Sequence, residues 1–213
     1  MVEPNIKHIA TNVPSSSLMD YAATVLKDGG IVVAPTETRY GLLVRADQMP
    51  PIKRLYEIKK RSLDEPIAVF VGSIELMMHY ADLNPLIQRI ARLFLPGPVT
   101  LVIPAVWNFL DPIVRDGKVG LRVSSSQVIQ EIMQRVNFPV SATSANLSGK
   151  ATAGKIREIF DIFSDAVDLY LDAGSLDNQV STVVDCSNEQ LVVLREGAVS
   201  SADIKAAAKG VME

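Results

Sequence analysis

The sequence predicts an α/β (α+β) fold in one domain, 1–213, built on a sheet of mixed strand directions flanked by helices. Segments with helical apolar spacing alternate with short apolar runs bounded by Gly, Pro and Asp, the pattern of helices covering a buried sheet. Several of these runs follow one another through turns instead of helices, which excludes a strictly parallel repeat. The chain has 213 residues, 48% hydrophobic and 21% charged, ample for one buried core and unlike a disordered chain.

Residues 17–28 put Leu18, Tyr21, Ala22, Val25 and Leu26 on one helical face, with Ser17 and Asp20 near the start and Gly29-Gly30 as the stop. Ile31-Val32-Val33-Ala34 reads as a buried strand ended by Pro35, followed by a loop over 35–41. Pro51 suits the first turn of a helix running to Lys60, with Ile52, Leu55, Tyr56 and Lys59 inward. Residues 67–71 form the next buried strand, and Ser73 caps a short helix to about Ala81. Asn84-Pro85 opens a helix striped by Leu86, Ile87, Ile90, Ala91 and Phe94, which Leu95-Pro96-Gly97-Pro98 ends. Strands are expected over 99–103, 119–123, 140–142, 167–171, 182–185 and 191–194, and helices over 126–136, 155–163 and 201–212. The core covers about 15–200, and the ends, up to Ser15 and after Lys209, are expected to fray. Met77, Met78 and Met133 read as core filler, and Cys186 as a packing residue.

The net charge of −3, from 21 basic and 24 acidic side chains, and an aromatic share of 6% argue against a broad basic nucleic-acid surface. One cysteine cannot form an intramolecular disulfide, and with two histidines it cannot build a typical structural zinc site, so a reducing compartment is expected. Residues 1–17 lack the apolar core of a secretory signal, and no stretch approaches the roughly 20 apolar residues that cross a bilayer. The expectation is a cytoplasmic protein with no membrane partner and no permanent metal.

Three segments place polar side chains beside strand ends, where loops carry function. Pro35-Thr36-Glu37-Thr38-Arg39-Tyr40-Gly41 offers hydroxyls and a carboxylate for a small polar substrate, or a turn capped by its own side chains. Lys59-Lys60-Arg61 sits at a helix C-terminus, where cations meet carbonyl dipoles; a point charge and a planar fork equally suit a triphosphate. Lys59 and Arg61 both aim inward only if the chain leaves helical geometry between them. Residues 139–149, PVSATSANLSG, run from strand into small hydroxyl, amide and glycine residues that let an anion approach the backbone, with Ser144 and Asn146 as side-chain donors. Strand alternation turns Arg122 away from Leu121 and Val123, to face either a substrate carboxylate or a surface ion pair. Arg195, after Val192-Val193-Leu194, has the same two readings.

In combination these segments resemble the YrdC family, the threonylcarbamoyl-adenylate synthases, in a bacterial short form without the extra C-terminal domain. The resemblance runs from about Gly29 to Gly197 through GGIVVAPTETRYG, the KKR turn, LPGPVTLVIPA, VGLRV, SATSANLSG, STVVDCS and VVLREG. It implies a curved mixed sheet with a concave, positively lined cavity that holds ATP and threonine together. Carried over by position, Lys59 and Arg61 hold phosphates and serve catalysis, Ser144 and Asn146 hold the nucleotide, and Arg195 approaches the adenylate. Thr36, Arg122 and Ser181 surround threonine.

The reaction so implied joins L-threonine, bicarbonate and ATP into threonylcarbamoyl-AMP and pyrophosphate, the first step of threonylcarbamoyladenosine formation at position 37 of tRNA. Magnesium is expected to arrive with ATP, and the product to pass to a downstream tRNA threonylcarbamoyl transferase complex. No carboxylate pair or histidine base stands out in the motif set, and Glu37 is the sole nearby carboxylate singled out for testing. The chain departs from many relatives at Glu65, where they carry asparagine, and at Phe70, where they carry histidine. Gly41-Leu42-Leu43 also lacks a second glycine, and Val123-Ser124 lacks a proline. Two alternatives accompany the synthase reading: a double-stranded RNA-binding protein, and a paralogue acting on a different carbamoyl or nucleotide substrate.

Overall fold

The computed structural model describes residues 5–188 and 190–209. Its strands in chain order are β1 (Ile6–His8), β2 (Val32–Pro35), β3 (Tyr40–Leu43), β4 (Ala68–Phe70), β5 (Val99–Pro104), β6 (Val114–Arg115), β7 (Lys118–Arg122), β8 (Val140–Ser144), β9 (Leu169–Asp172), β10 (Thr182–Asp185) and β11 (Val192–Arg195). The helices are α1 (Ser16–Lys27), α2 (Met49–Lys59), α3 (Ile74–Tyr80), α4 (Pro85–Phe94), α5 (Gln127–Arg135), α6 (Ile156–Phe163) and α7 (Ser201–Lys209). The strands join in one mixed sheet ordered β1-β9-β2-β3-β8-β4-β7-β5-β10-β11, with β6 paired to β7. Parallel pairs (β1 with β9, β4 with β7, β5 with β10) lie among antiparallel ones, so the expected mixed α/β architecture is what forms.

Alternation divides the sheet into two unlike faces. Val33, Tyr170, Leu42, Val69, Leu121, Leu101 and Val184 line one face and belong to a single core with Leu55 of α2, Ile90 of α4, Ile159 of α6 and Ile204 of α7. On the other face, Val32, Leu169, Leu43, Val140 and Phe70 pack under Met19 and Leu26 of α1 and Ile129 and Ile132 of α5. These two helices cover the β9-β2-β3-β8 side and reach no further than Phe70 at the end of β4. Over β4, β7, β5 and β10 the same face carries Ala68, Gly120, Arg122, Thr100, Val102, Val183 and Asp185, and there a cavity takes the place of a helix. Truncating a fully buried side chain such as Leu101 or Leu121 costs about 2–5 kcal/mol.

Local chemistry explains most elements. Ser73 and Asn84 accept hydrogen bonds from the Leu76 and Ile87 amides, each cap worth about 1 kcal/mol. Prolines in the first turn begin α2, where their missing amides cost nothing. The last turn of α2 is stopped by Lys60 in the left-handed conformation (φ 50°, ψ 43°), the departure from helical geometry that separates the directions of Lys59 and Arg61.

Several sequence expectations are corrected. The N-terminal segment expected to fray contains β1, whose Ile6 and Lys7 pair with Tyr170 and Leu171. The loop expected over 35–41 ends early, because Tyr40–Leu43 forms β3 as a hairpin with β2, buried on both faces and therefore without polar alternation. β6 was not expected either; an Asp116-Gly117 turn with φ of 51° and 71° folds it onto β7. On α1 the buried residues are Met19, Ala22, Ala23 and Leu26, and Tyr21 is exposed: the packing stripe is rotated from the expected one. Met77 and Met133 are core residues, whereas Met78 is 46% exposed. Residues 210–212 of the expected C-terminal helix lie outside the described residues.

Gly197 donates its amide to Thr182 Oγ1 at 3.0 Å, and a Cβ there would lie 2.2 Å from the Val180 carbonyl and 2.8 Å from that of Ser181. Backbone cannot yield as a side chain can, so Gly197→Ala should lower stability by about 1–3 kcal/mol. An unchanged thermal midpoint would contradict this.

Candidate active site

The cavity encloses about 470 Å³ over the uncovered part of the sheet. Its floor is low because Gly120, Ala68 and Ala142 sit side by side on β7, β4 and β8; a Cβ on Gly120 would come within 3.1 Å of the Ala68 Cβ. Arg39, Arg61, Arg115, Lys118, Arg122 and Arg195 line it, against the carboxylates of Asp116 and Asp185. Such an excess of cations around a polar hollow favours an anionic ligand.

Arg61 reaches the wall, steadied by the carbonyls of Glu65 and Pro66, both 3.0 Å from its guanidinium, and 3.5 Å from the Glu65 carboxylate. Lys59 points elsewhere. It is 1% exposed, and its Nζ donates to the carbonyls of Ser144 at 2.5 Å and Asn146 at 2.8 Å, while its own carbonyl accepts the Ser148 amide at 2.9 Å. One lysine thus ties down the whole 144–148 turn. Burial, and after it the Arg61 charge, push its amine from 10.5 down to about 7.

Ser144 ends β8 on the cavity wall, and its hydroxyl donates to Asn146 Oδ1. Asn146 stands behind it, with Nδ2 donating to the Leu147 and Lys150 carbonyls at 2.8 and 2.6 Å. Of the five residues expected to bind ATP, Arg61, Ser144 and Arg195 line the cavity, and Lys59 and Asn146 shape the turn that carries Ser144.

Thr36, also on the wall, lies in a tight turn, its Oγ1 donating to the Arg39 carbonyl at 2.7 Å and accepting the Thr38 and Arg39 amides. Arg122 is buried, with Nη2 2.9 Å from Glu37 Oε1 and Nε 3.3 Å from the Gly97 carbonyl. Ser181 is held by Arg195, which donates to its carbonyl from Nε at 3.1 Å and from Nη2 at 2.9 Å, and to its hydroxyl at 2.9 Å. Burial and then the Arg122 charge lower the Arg195 pKa, as two guanidinium groups sharing one hollow must. Thr36, Arg122, Ser181 and Arg195 are therefore gathered at one end of the cavity.

Sequence reasoning did not single out Thr100, Lys118 or Asp185, all on the wall. Lys118 and Asp185 form an ion pair of 3.1 Å across β5. Burial works to raise the Asp185 pKa, but hydrogen bonds from Ser187 and Lys118 hold it below the usual value. The legible signal was alternation: Lys118, Gly120 and Arg122, like Thr100 and Val102, occupy the face opposite Leu121 and Leu101. Among the described residues no group of three His, Cys, Asp or Glu side chains could hold a metal ion, and no helix is long and apolar enough to cross a membrane.

Residues 24–197 match the Sua5/YciO/YrdC family model, described as "Telomere recombination", and the chain belongs to that family. The threonylcarbamoyl-AMP synthase of Bacillus subtilis is 30% identical over 202 residues, aligned across 93% of this chain and 58% of its own length. A putative threonylcarbamoyl-AMP synthase of Methanocaldococcus jannaschii is 27% identical over 183 residues, 85% of this chain and 86% of that protein. The crystal structure of Pyrococcus abyssi Sua5 complexed with L-threonine superimposes with a TM-score of 0.89 at 27% identity, covering 95% of this chain and 60% of that one. The chain thus spans little more than half of the Bacillus and Pyrococcus proteins.

The Lys59 amine supplies a pH test. Its pKa is lowered on folding, so the unfolded chain holds the proton more tightly, and between pH 7 and about 10 this group makes stability rise with pH. Lys59→Met has no such proton. Chemical denaturation should find the wild type gaining on the variant across that window; a pH-independent difference would contradict the low amine pKa.

Proposed function

We propose that this chain is a threonylcarbamoyl-AMP synthase, condensing L-threonine, bicarbonate and ATP into threonylcarbamoyl-AMP and pyrophosphate for tRNA modification. The observation that carries the reading is the convergence on one cavity of Arg61, Ser144, Thr36, Arg122, Ser181 and Arg195. That gives room for a polyanion and a small carboxylate in one enclosure. The names of the Bacillus and Methanocaldococcus relatives and the threonine complex of Pyrococcus Sua5 support the same substrates.

In this mechanism the threonine amine adds to carbon dioxide from bicarbonate, releasing a proton and giving a carbamate. A carbamate oxygen then bonds to the α-phosphorus of ATP as the bond to the β-phosphate oxygen breaks, and pyrophosphate leaves. No protein nucleophile is needed. Arg61 offsets charge on the phosphates, Ser144 and Arg195 hold the adenylate, and Thr36, Arg122 and Ser181 hold threonine. Lys59 and Asn146 act on the nucleotide through the 144–148 turn that they brace. Magnesium comes as MgATP, keeping several of its waters. The product, a labile mixed anhydride, passes to a tRNA-modifying transferase.

A second reading, a related reaction on another carbamoyl or nucleotide substrate, is favoured by Glu65. Its carboxylate lies 3.5 Å from Arg61 and accepts the Ser148 hydroxyl at 3.3 Å, setting negative charge beside the guanidinium assigned to the phosphates. Pyrophosphate release from ATP separates the two. Release that requires both threonine and bicarbonate, and that serine does not support equally, is expected for the synthase; binding of ATP and threonine without release would favour the second reading. Arg61→Ala should reduce turnover by about 10²-fold or more while leaving the fold intact, and near-normal activity would defeat the role given to Arg61.

A further inference from the structure

Glu37 has no part in the chemistry above, yet it occupies the centre of a closed polar network. We propose that Glu37 is a positioning residue, acting through Arg122 to aim its guanidinium at the carboxylate of the amino-acid substrate; the inference rests on the synthase reading.

Arg122 is fixed on several sides. Its Nη2 meets Glu37 Oε1 at 2.9 Å and Thr38 Oγ1 at 3.2 Å, its Nε donates to the Gly97 carbonyl at 3.3 Å, and its guanidinium carbon lies 5.5 Å from the centre of the Phe70 ring. Among the described residues Nη1 has no protein acceptor, and Arg122 lines the cavity, so this edge is the one offered to a ligand.

Glu37 does not line the cavity, and both its oxygens are engaged. Ser124 Oγ donates to Oε2 at 2.5 Å and the Ser125 amide to Oε1 at 3.2 Å. These two residues follow β7, the strand that carries Arg122. Carboxylate and guanidinium are thereby locked to the same short segment, with side chains only 14% and 6% exposed. In such a dry setting a paired charge holds its geometry firmly, and removing one partner leaves the other buried and uncompensated. Glu37 also offsets one of the two positive charges, Arg122 and Arg195, that face each other across this end of the cavity. A substrate carboxylate then meets a guanidinium already aimed, with no reorganisation on binding.

The test is calorimetric binding of L-threonine and of ATP to the full chain, with thermal melts as a check on folding. Glu37→Gln keeps the shape and removes the charge; threonine affinity should fall ~10-fold while ATP affinity changes less than about twofold. Ser124→Ala, which loosens Glu37 without touching the cavity wall, should give a smaller loss of threonine affinity alone, and Glu37→Asp should restore part of what Glu37→Gln loses. Wild-type threonine affinity in a folded Glu37→Gln protein overturns the assignment, as does an equal loss for threonine and ATP, which would mark a merely structural role. If the wild type binds no threonine at all, the synthase reading fails and this inference with it.

Discussion

Strand alternation on a sheet with one face wholly buried is the constraint on which the rest depends. Once Leu101, Leu121, Val69 and Val184 must face the core beneath α2, α4 and α6, their neighbours Thr100, Val102, Gly120, Arg122, Ala68 and Asp185 are forced onto the opposite face. α1 and α5 cover only part of that second face. The polar residues of the remainder cannot be buried under an apolar helix without losing their partners, so the uncovered area persists as a lined hollow.

Charge in that hollow is balanced by degrees. Lys118 is matched by Asp185 and Arg122 by Glu37, both at about the distance of a direct ion pair, whereas Arg39 and Arg61 are each 3.5 Å from a carboxylate. Arg195 is held by the oxygens of Ser181. The tightly paired cations keep the shape of the cavity. Arg39 and Arg61 are less closely neutralised by protein carboxylates.

Lys59 illustrates how far a residue's role depends on direction. An ammonium two positions from Arg61 would add a second cation to the cavity wall if both pointed the same way. The left-handed Lys60 prevents this and sends Lys59 under the 144–148 turn, where two carbonyls replace the water it has lost. Ser144 on the cavity wall is therefore held by a buried lysine that does not itself line the cavity.

The elements legible in the sequence were those with strong local causes: the caps at Ser73 and Asn84, the first-turn prolines of α2, and the apolar runs that became β5, β7 and β10. By itself the sequence determined the α/β class, the mixed sheet, and the motif residues Arg61, Ser144, Thr36, Arg122, Ser181 and Arg195 that meet in one cavity. Only the tertiary structure decided that Ile6–His8, Tyr40–Leu43 and Val114–Arg115 are strands, since segments so short have no periodicity and take their conformation from the strands beside them. It also decided the rotation of α1, the inward turn of Lys59, and the pairing of Glu37 with Arg122 and Ser124 across some 85 residues of chain. The physical reason is common to all three: burial, direction and ion pairing are set by what packs against a residue in space, and no spacing along the chain encodes that neighbour.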